Sequence, residues 1–359
     1  MLCSWGVRIA AVDIDVLIIG AGFAGASTAF HLTRSGFPGS ILLVDKEEVP
    51  GYHASGRNAS MVLQAVDNPP VREIVARSVV HYLEHAEEVG YAAVGSLLLG
   101  RPSQLEPLRE PDRIRSDILT PEQVRRQVPL LEGHSFDAAL FTPSDGVMDI
   151  SRLLQFYLDN SRTRGLQIRL NCPVVEIDPV GDGFEVLLQD GSRVSTRLIV
   201  NGAGAWAPKV AEMAGIASLP MRSFKRHLFV LEGIDGIHPD WPFVWSVERS
   251  FYFRPESGGL LFSVCDEELA TSGFIPTINP EIAERLAELI SRQLPNLERA
   301  LQRREWSCFR TKTPDGQFHL GFSEQLPGLL WVAGLGGHGM GASWEVGHRA
   351  AGLVRERLG

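Results

Sequence analysis

The 359-residue chain has only four cysteines (Cys3, Cys172, Cys265 and Cys308), and none falls in a CxxC or Cys/His spacing. No metal site is therefore expected, and scattered thiols point to a reduced, cytoplasmic setting rather than a disulfide framework. No apolar run reaches the roughly 18 residues that a membrane-spanning helix needs. Basic runs are missing too. With 34 Lys and Arg against 43 Asp and Glu the formal net charge is −9, which argues against nucleic acid as a partner. There is no internal repeat and no low-complexity linker, although the chain is too long for one ordinary core. Two domains sharing it would be interleaved. Residues 1–12 carry one arginine and a short apolar patch without a small-residue cleavage pattern, and read as an extended start.

What the chain does have is glycine, 36 in all, much of it in three clusters. The first is Gly20-Ala21-Gly22-Phe23-Ala24-Gly25. It follows a strand over 13–20, whose Val16, Leu17, Ile18 and Ile19 form a continuous apolar run, and it opens a helix over 23–35. A second buried strand over 40–45 ends on Asp45, 20 residues after Gly25. That context turns a GxGxxG into a dinucleotide fingerprint. Gly20 permits the tight turn, Gly22 lets the backbone approach a pyrophosphate, and Gly25 allows close helix packing. Asp45 can accept hydrogen bonds from ribose hydroxyls.

The second cluster, Asn201-Gly202-Ala203-Gly204-Ala205-Trp206, leaves a strand over 193–200. The third, Gly334-Leu335-Gly336-Gly337-His338-Gly339, leaves a strand over 328–333 and precedes a helix over 341–358. No strand with an acidic end follows that helix, so the third cluster reads as an anion-binding loop rather than a second fingerprint. The middle of the chain carries short strands over 174–177 and 184–189 with a turn signal at Asp190-Gly191, and then strands over 225–231, 243–247, 251–254 and 259–264 that suggest an antiparallel sheet. Helices are expected over 70–89, 151–164 and 280–294.

In this order the three clusters resemble the D-amino-acid oxidase (DAO) superfamily of FAD-dependent oxidoreductases. The similarity runs from Asp15 to Met340 and is strongest to bacterial D-arginine/D-amino-acid dehydrogenases. Shared features are the Gly51-Tyr52-His53 start, 201–206, Lys225-Arg226, Ser250-Phe251-Tyr252 and an arginine at Arg310. The resemblance implies an α/β (α+β) fold. A Rossmann-like FAD-binding domain (13–95, 142–222 and 308–359) would be interleaved with a mixed antiparallel-sheet substrate domain (96–141 and 223–307). It implies an extended FAD, with Val175 near the adenine and Ser55, Gly56, Arg57 and Asn58 near the flavin. Lys46, Ala203, Gly204, Trp206 and the loop from Gly334 to Met340 would complete the cofactor site.

The same resemblance assigns the chemistry. Arg310 would clamp a substrate carboxylate with two parallel hydrogen bonds, Tyr252 would add a third, and Arg226 would bind the carboxylate or carry part of its charge. His338 is the candidate base, although its glycine neighbours favour a role in backbone geometry or hydrogen bonding. Ser96 stands where the dehydrogenases carry an acidic residue, and Met61, Leu63 and Val66 where they are polar, so a neutral substrate side chain is expected. The segment 308–315, Cys-Phe-Arg-Thr-Lys-Thr-Pro-Asp, is similar to the stretch of monomeric sarcosine oxidases whose cysteine carries flavin through a thioether. By that likeness Cys308 is a candidate covalent attachment point, with a buried free cysteine as the alternative. The expected activity is oxidation of the amine carbon of a small D-amino acid or N-methyl amino acid by hydride transfer to flavin N5, giving an imine. A 2-hydroxy-acid oxidoreductase, an NAD-dependent dehydrogenase and a non-catalytic flavin subunit remain alternatives. The electron acceptor stays open among oxygen, a quinone and a carrier.

Overall fold

Strand Val12–Ile19 lies between two parallel neighbours, Ile41–Val44 and Arg193–Asn201. Both faces of this strand are covered, and Val16, Leu17 and Ile18 are fully buried. That is why its interior reads as an unbroken apolar run. In this computed structural model the described residues are 12–110, 112–217, 219–270 and 277–359. Most of the expected extended start, with Cys3, lies outside them. Gln167–Arg169 and Leu329–Ala333 extend the parallel order on either side. An antiparallel ribbon, Val174–Val180 with Gly183–Leu188, and the antiparallel strand His319–Phe322 complete eight strands.

Helices Phe23–Arg34, Pro69–Glu84, Ile150–Arg162 and Ser343–Leu358 cover one face of that sheet. Their start signals are local. Asn68 and Asp149 each accept a backbone N–H of the first turn. The helix expected over 70–89 breaks at His85, whose φ of −116° and ψ of 25° leave the helical region, and a short turn Ala86–Val89 follows.

A second, nine-stranded sheet carries the other half. Its longest pair, Arg222–Glu232 with Leu301–Lys312, is antiparallel along nearly its whole length. Gly259–Ser263, Phe251–Glu256 and Phe243–Ser246 follow antiparallel, and Phe243–Ser246 then meets Ser96–Gly100 in parallel, which makes the sheet mixed. Strand alternation sorts its side chains. Phe229, Leu231, Phe251, Phe253 and Phe262 form a core with helix Pro280–Gln293, while Leu228, Tyr252, Leu261 and Cys308 face the opposite way. The strand Leu301–Lys312 stays in this sheet past the expected division at 308, so Cys308 and Arg310 are presented by the second sheet.

Candidate active site

The turn from Val12–Ile19 into Phe23–Arg34 leaves no room for side chains. Gly20 has a φ of +109°, and a Cβ there would lie 2.6 Å from the carbonyl oxygen of Gly202. A Cβ on Gly25 would lie 1.9 Å from the Gly20 carbonyl oxygen, and one on Gly202 would lie 3.1 Å from the Gly25 nitrogen, so the first two glycine clusters meet backbone to backbone. The Ser55 hydroxyl accepts the Phe23 N–H at 3.1 Å and pins the 51–58 segment against the turn. Asp45 closes the floor: one oxygen accepts the Ala21 N–H at 2.6 Å, the other the Glu47 N–H at 2.9 Å. Gly22 caps the helix without a side chain, and the first turn holds no acidic residue. A glycine-backed helix start beside an acid suits a dinucleotide's pyrophosphate and ribose.

From this floor a cleft, open in part to solvent, runs to the second sheet. At its rim the Lys46 ammonium lies 4.1 Å above the Trp206 ring, and the His53 ring is 4.3 Å from Trp206. His53 Nε2 and a Glu47 carboxylate oxygen are 2.7 Å apart.

The far end is cationic and partly apolar. In the strand pair, Arg226 stands opposite Cys308, and Phe224 opposite Arg310. Arg226, Cys308 and Arg310 therefore share one sheet face, and all three line the cleft. Arg310 reaches the Tyr252 hydroxyl only loosely, at 3.5 Å. Burial pushes the Tyr252 hydroxyl pKa up, so it stays a neutral donor. The Arg310 side chain lies against Gly337, where a Cβ would come within 3.0 Å of Nε. His338 is pushed down to about 4, chiefly by burial and then by the charges of Arg310 and Lys312. It is neutral at pH 7 and a poor base. Met61, Leu63, Leu228 and Trp245 form the apolar wall, and the Trp245 ring lies 4.8 Å from Tyr252.

The description FAD dependent oxidoreductase (DAO) matches residues 15–353. The chain belongs to this family. Rat (Rattus norvegicus) mitochondrial dimethylglycine dehydrogenase is 28% identical over 267 residues, covering 69% of this chain and 30% of its own length. Monomeric sarcosine oxidase of Streptomyces avermitilis is 22% identical over 364 residues, covering 95% and 93%. The crystal structure of L-proline dehydrogenase from P. horikoshii superposes with a TM-score of 0.87 at 22% identity, over 97% and 95% of the two chains. The chain spans about a third of the length of the mitochondrial dehydrogenases that it matches.

In keeping with a family described as FAD-dependent, the chain gathers most of its expected site residues in one cleft. Gly20, Gly22, Phe23, Ala24, Asp45 and Lys46 line one end. Ser55, Arg57, Asn58, Ala203, Gly204, Trp206, Cys308, Gly334, Gly336, Gly337, His338, Gly339 and Met340 line the cleft too. Gly25 packs against the Gly20 carbonyl oxygen and Ile18, and Gly56 against the Gly51 carbonyl oxygen, both away from the cleft. Val175 is half exposed, and its neighbour Val174 is the one on the wall. Successive strand residues point to opposite sides, and a register shift between Val174 and Glu176 sets which one faces in.

Ser96 is fully buried and outside the cleft. Its hydroxyl donates to Asp145 at 2.6 Å, so it reads no substrate side chain. Val66 sits in the core beneath the parallel sheet. Trp245 was not singled out by sequence reasoning. It pairs with Tyr252 across two strands, a signal available only once the register is known.

Proposed function

We propose that this family member oxidises the amine carbon of a small α-amino acid or N-methyl amino acid. One observation carries the reading: Arg310 and Arg226 face a single cleft beside Tyr252 and an apolar wall. A carboxylate is the substrate group that suits two guanidiniums and a hydroxyl donor. When bound, FAD supplies the hydride acceptor. The chain's own task is to fix the donor carbon.

Arg310 gives a planar fork, and the neutral Tyr252 hydroxyl stands 3.5 Å from it, leaving a carboxylate oxygen room to bridge the two. His338, neutral at pH 7, is not the group that takes the ammonium proton. The Arg226 and Arg310 guanidiniums disfavour a further positive charge beside them, so the substrate gives that proton to solvent and reacts as the free amine. Met61, Leu63, Leu228 and Trp245 exclude water and accommodate a neutral side chain or an N-methyl group. The imine product is hydrolysed by water to a 2-oxo acid and the amine.

The test is an anaerobic screen of amino acids, their N-methyl forms, their esters and the matching 2-hydroxy acids, read as bleaching of the flavin band. Free amino acids with neutral side chains are expected to bleach, and esters are not. Bleaching by hydroxy acids alone moves the chain to 2-hydroxy-acid oxidation. No bleaching by any of them leaves a non-catalytic flavin protein, and fastest bleaching by arginine or lysine rules out the neutral pocket.

A further inference from the structure

Arg226 is only 3% exposed, and its three guanidinium nitrogens have unequal fates. Nε donates to the main-chain carbonyl of Asp266 at 2.7 Å, and one terminal nitrogen donates to Glu267 at 3.0 Å. The other terminal nitrogen is buried without a partner among the described residues. Buried donors are seldom left unpaired, so this one is free for a ligand oxygen at the cleft that Arg226 lines.

The residues that aim Arg226 lie in a gap in the second sheet. Strand Arg222–Glu232 pairs with Gly259–Ser263 at one end and Glu268–Leu269 at the other. Between them the ladder is interrupted, and side chains replace it. The Asp266 carboxylate accepts the His227 backbone N–H at 3.0 Å, and the Ser263 hydroxyl donates to the His227 carbonyl at 2.7 Å. Cys265 turns the chain with a φ of +50°.

Alternation sends the His227 ring to the opposite side of the strand from Arg226. There the Asn279 N–H, at the cap of helix Pro280–Gln293, donates to Nε2 at 2.9 Å. The ring proton therefore sits on Nδ1, which donates to the other Asp266 oxygen at 2.7 Å. His227 and Asp266 are 0% and 2% exposed. Burial alone would push the Asp266 carboxyl up, but the two bonds from His227 hold it below its ordinary value.

We infer that His227 and Asp266 are positioning residues for the substrate carboxylate. They touch no ligand and act by locking the 265–267 turn, whose Asp266 carbonyl and Glu267 carboxylate orient the Arg226 guanidinium. The inference rests on the proposed reading of Arg226 as a carboxylate-binding group.

The experiment is a double-mutant cycle on FAD-loaded protein, with propionate as the probe and its Kd read from the perturbed flavin absorption band. Arg226→Met and His227→Leu should each weaken propionate binding, by about ten-fold or more for a lost charge-assisted bond. The double variant should be no weaker than Arg226→Met alone, because one residue acts through the other. The limiting rate of flavin reduction at saturating substrate should change less than KM. Additive effects, or wild-type Kd in His227→Leu beside a weakened Arg226→Met, overturn the positioning role and leave the carboxylate reading standing. Wild-type Kd in Arg226→Met overturns the carboxylate reading itself. If His227→Leu does not fold, Asp266→Asn serves in the same cycle with the same outcomes. It keeps an acceptor for one of the two His227 N–H groups and turns a donor on the other.

Discussion

Gly337→Ala tests the geometry of the carboxylate site without removing a charged group. The new Cβ would meet Arg310 Nε at 3.0 Å, Cδ at 3.1 Å and Cζ at 3.3 Å. At such distances the arginine side chain must give way by a few tenths of an ångström. Removing Arg310 altogether sets the ceiling: a lost charge-assisted pair costs about 1.5–3 kcal/mol, or roughly 10- to 150-fold in kcat/KM. Gly337→Ala should fall between wild type and that ceiling. The backbone adds a separate cost, because Gly337 has a φ of +97° and alanine in the left-handed region is strained by about 1–2 kcal/mol. That part should appear as a lower Tm, not as weaker binding. The assay is anaerobic stopped-flow reduction of the flavin band across substrate concentration, with Arg310→Ala and Arg310→Lys alongside. Apparent substrate Kd should rise in the order wild type, Gly337→Ala, Arg310→Ala. A folded, FAD-loaded Gly337→Ala with wild-type Kd beside a weakened Arg310→Ala would refute the close packing, and a wild-type Kd in Arg310→Ala would refute the clamp.

Three further outcomes follow from the same structure. Cofactor released by denaturation should chromatograph as FAD, and Asp45→Ala should retain less of it, because that carboxylate anchors the Ala21 and Glu47 N–H groups at the cleft floor; FMN in the extract would sink the assignment. Covalent attachment through the cleft-facing Cys308 would leave an acid-precipitated pellet yellow in wild type and colourless in Cys308→Ser, whereas a colourless wild-type pellet ends that reading. His31 is buried beside Phe30 and Trp344, and burial, followed by the charges of His348, Arg34 and His81, holds it down to about 3 from an ordinary 6.5. The unfolded chain binds the proton first, so the stability this site supplies is complete above about pH 6.5 and is lost as pH falls toward 3. His31→Leu should flatten that part of the decline in urea midpoints between pH 7 and pH 5, and an equal decline in both proteins would refute it.

The glycine-turn end of the cleft, proposed to hold the dinucleotide, was legible in the sequence because its signals are local. A buried strand, a glycine turn, a helix start and an acid at the next strand's end lie within 13–45, and each is dictated by neighbours a few residues away. The helices and most strands followed from periodicity for the same reason. The substrate end was legible only through resemblance, since Arg226, Tyr252 and Arg310 are drawn from three strands. What brings them together is the register of Arg222–Glu232 against Leu301–Lys312, and a slip of one residue would turn Arg226 and Arg310 to opposite faces.

Parity decided the misplaced residues too. Val174 rather than Val175 faces the cleft because of a local shift in register, and Ser96 turns inward to a buried Asp145 nearly fifty residues away. No local pattern encodes either. Composition and spacing by themselves were enough to predict a dinucleotide-binding turn at the first strand's end. Only the tertiary structure decided which side chains share the substrate wall, because that wall is built from contacts between strands distant in sequence.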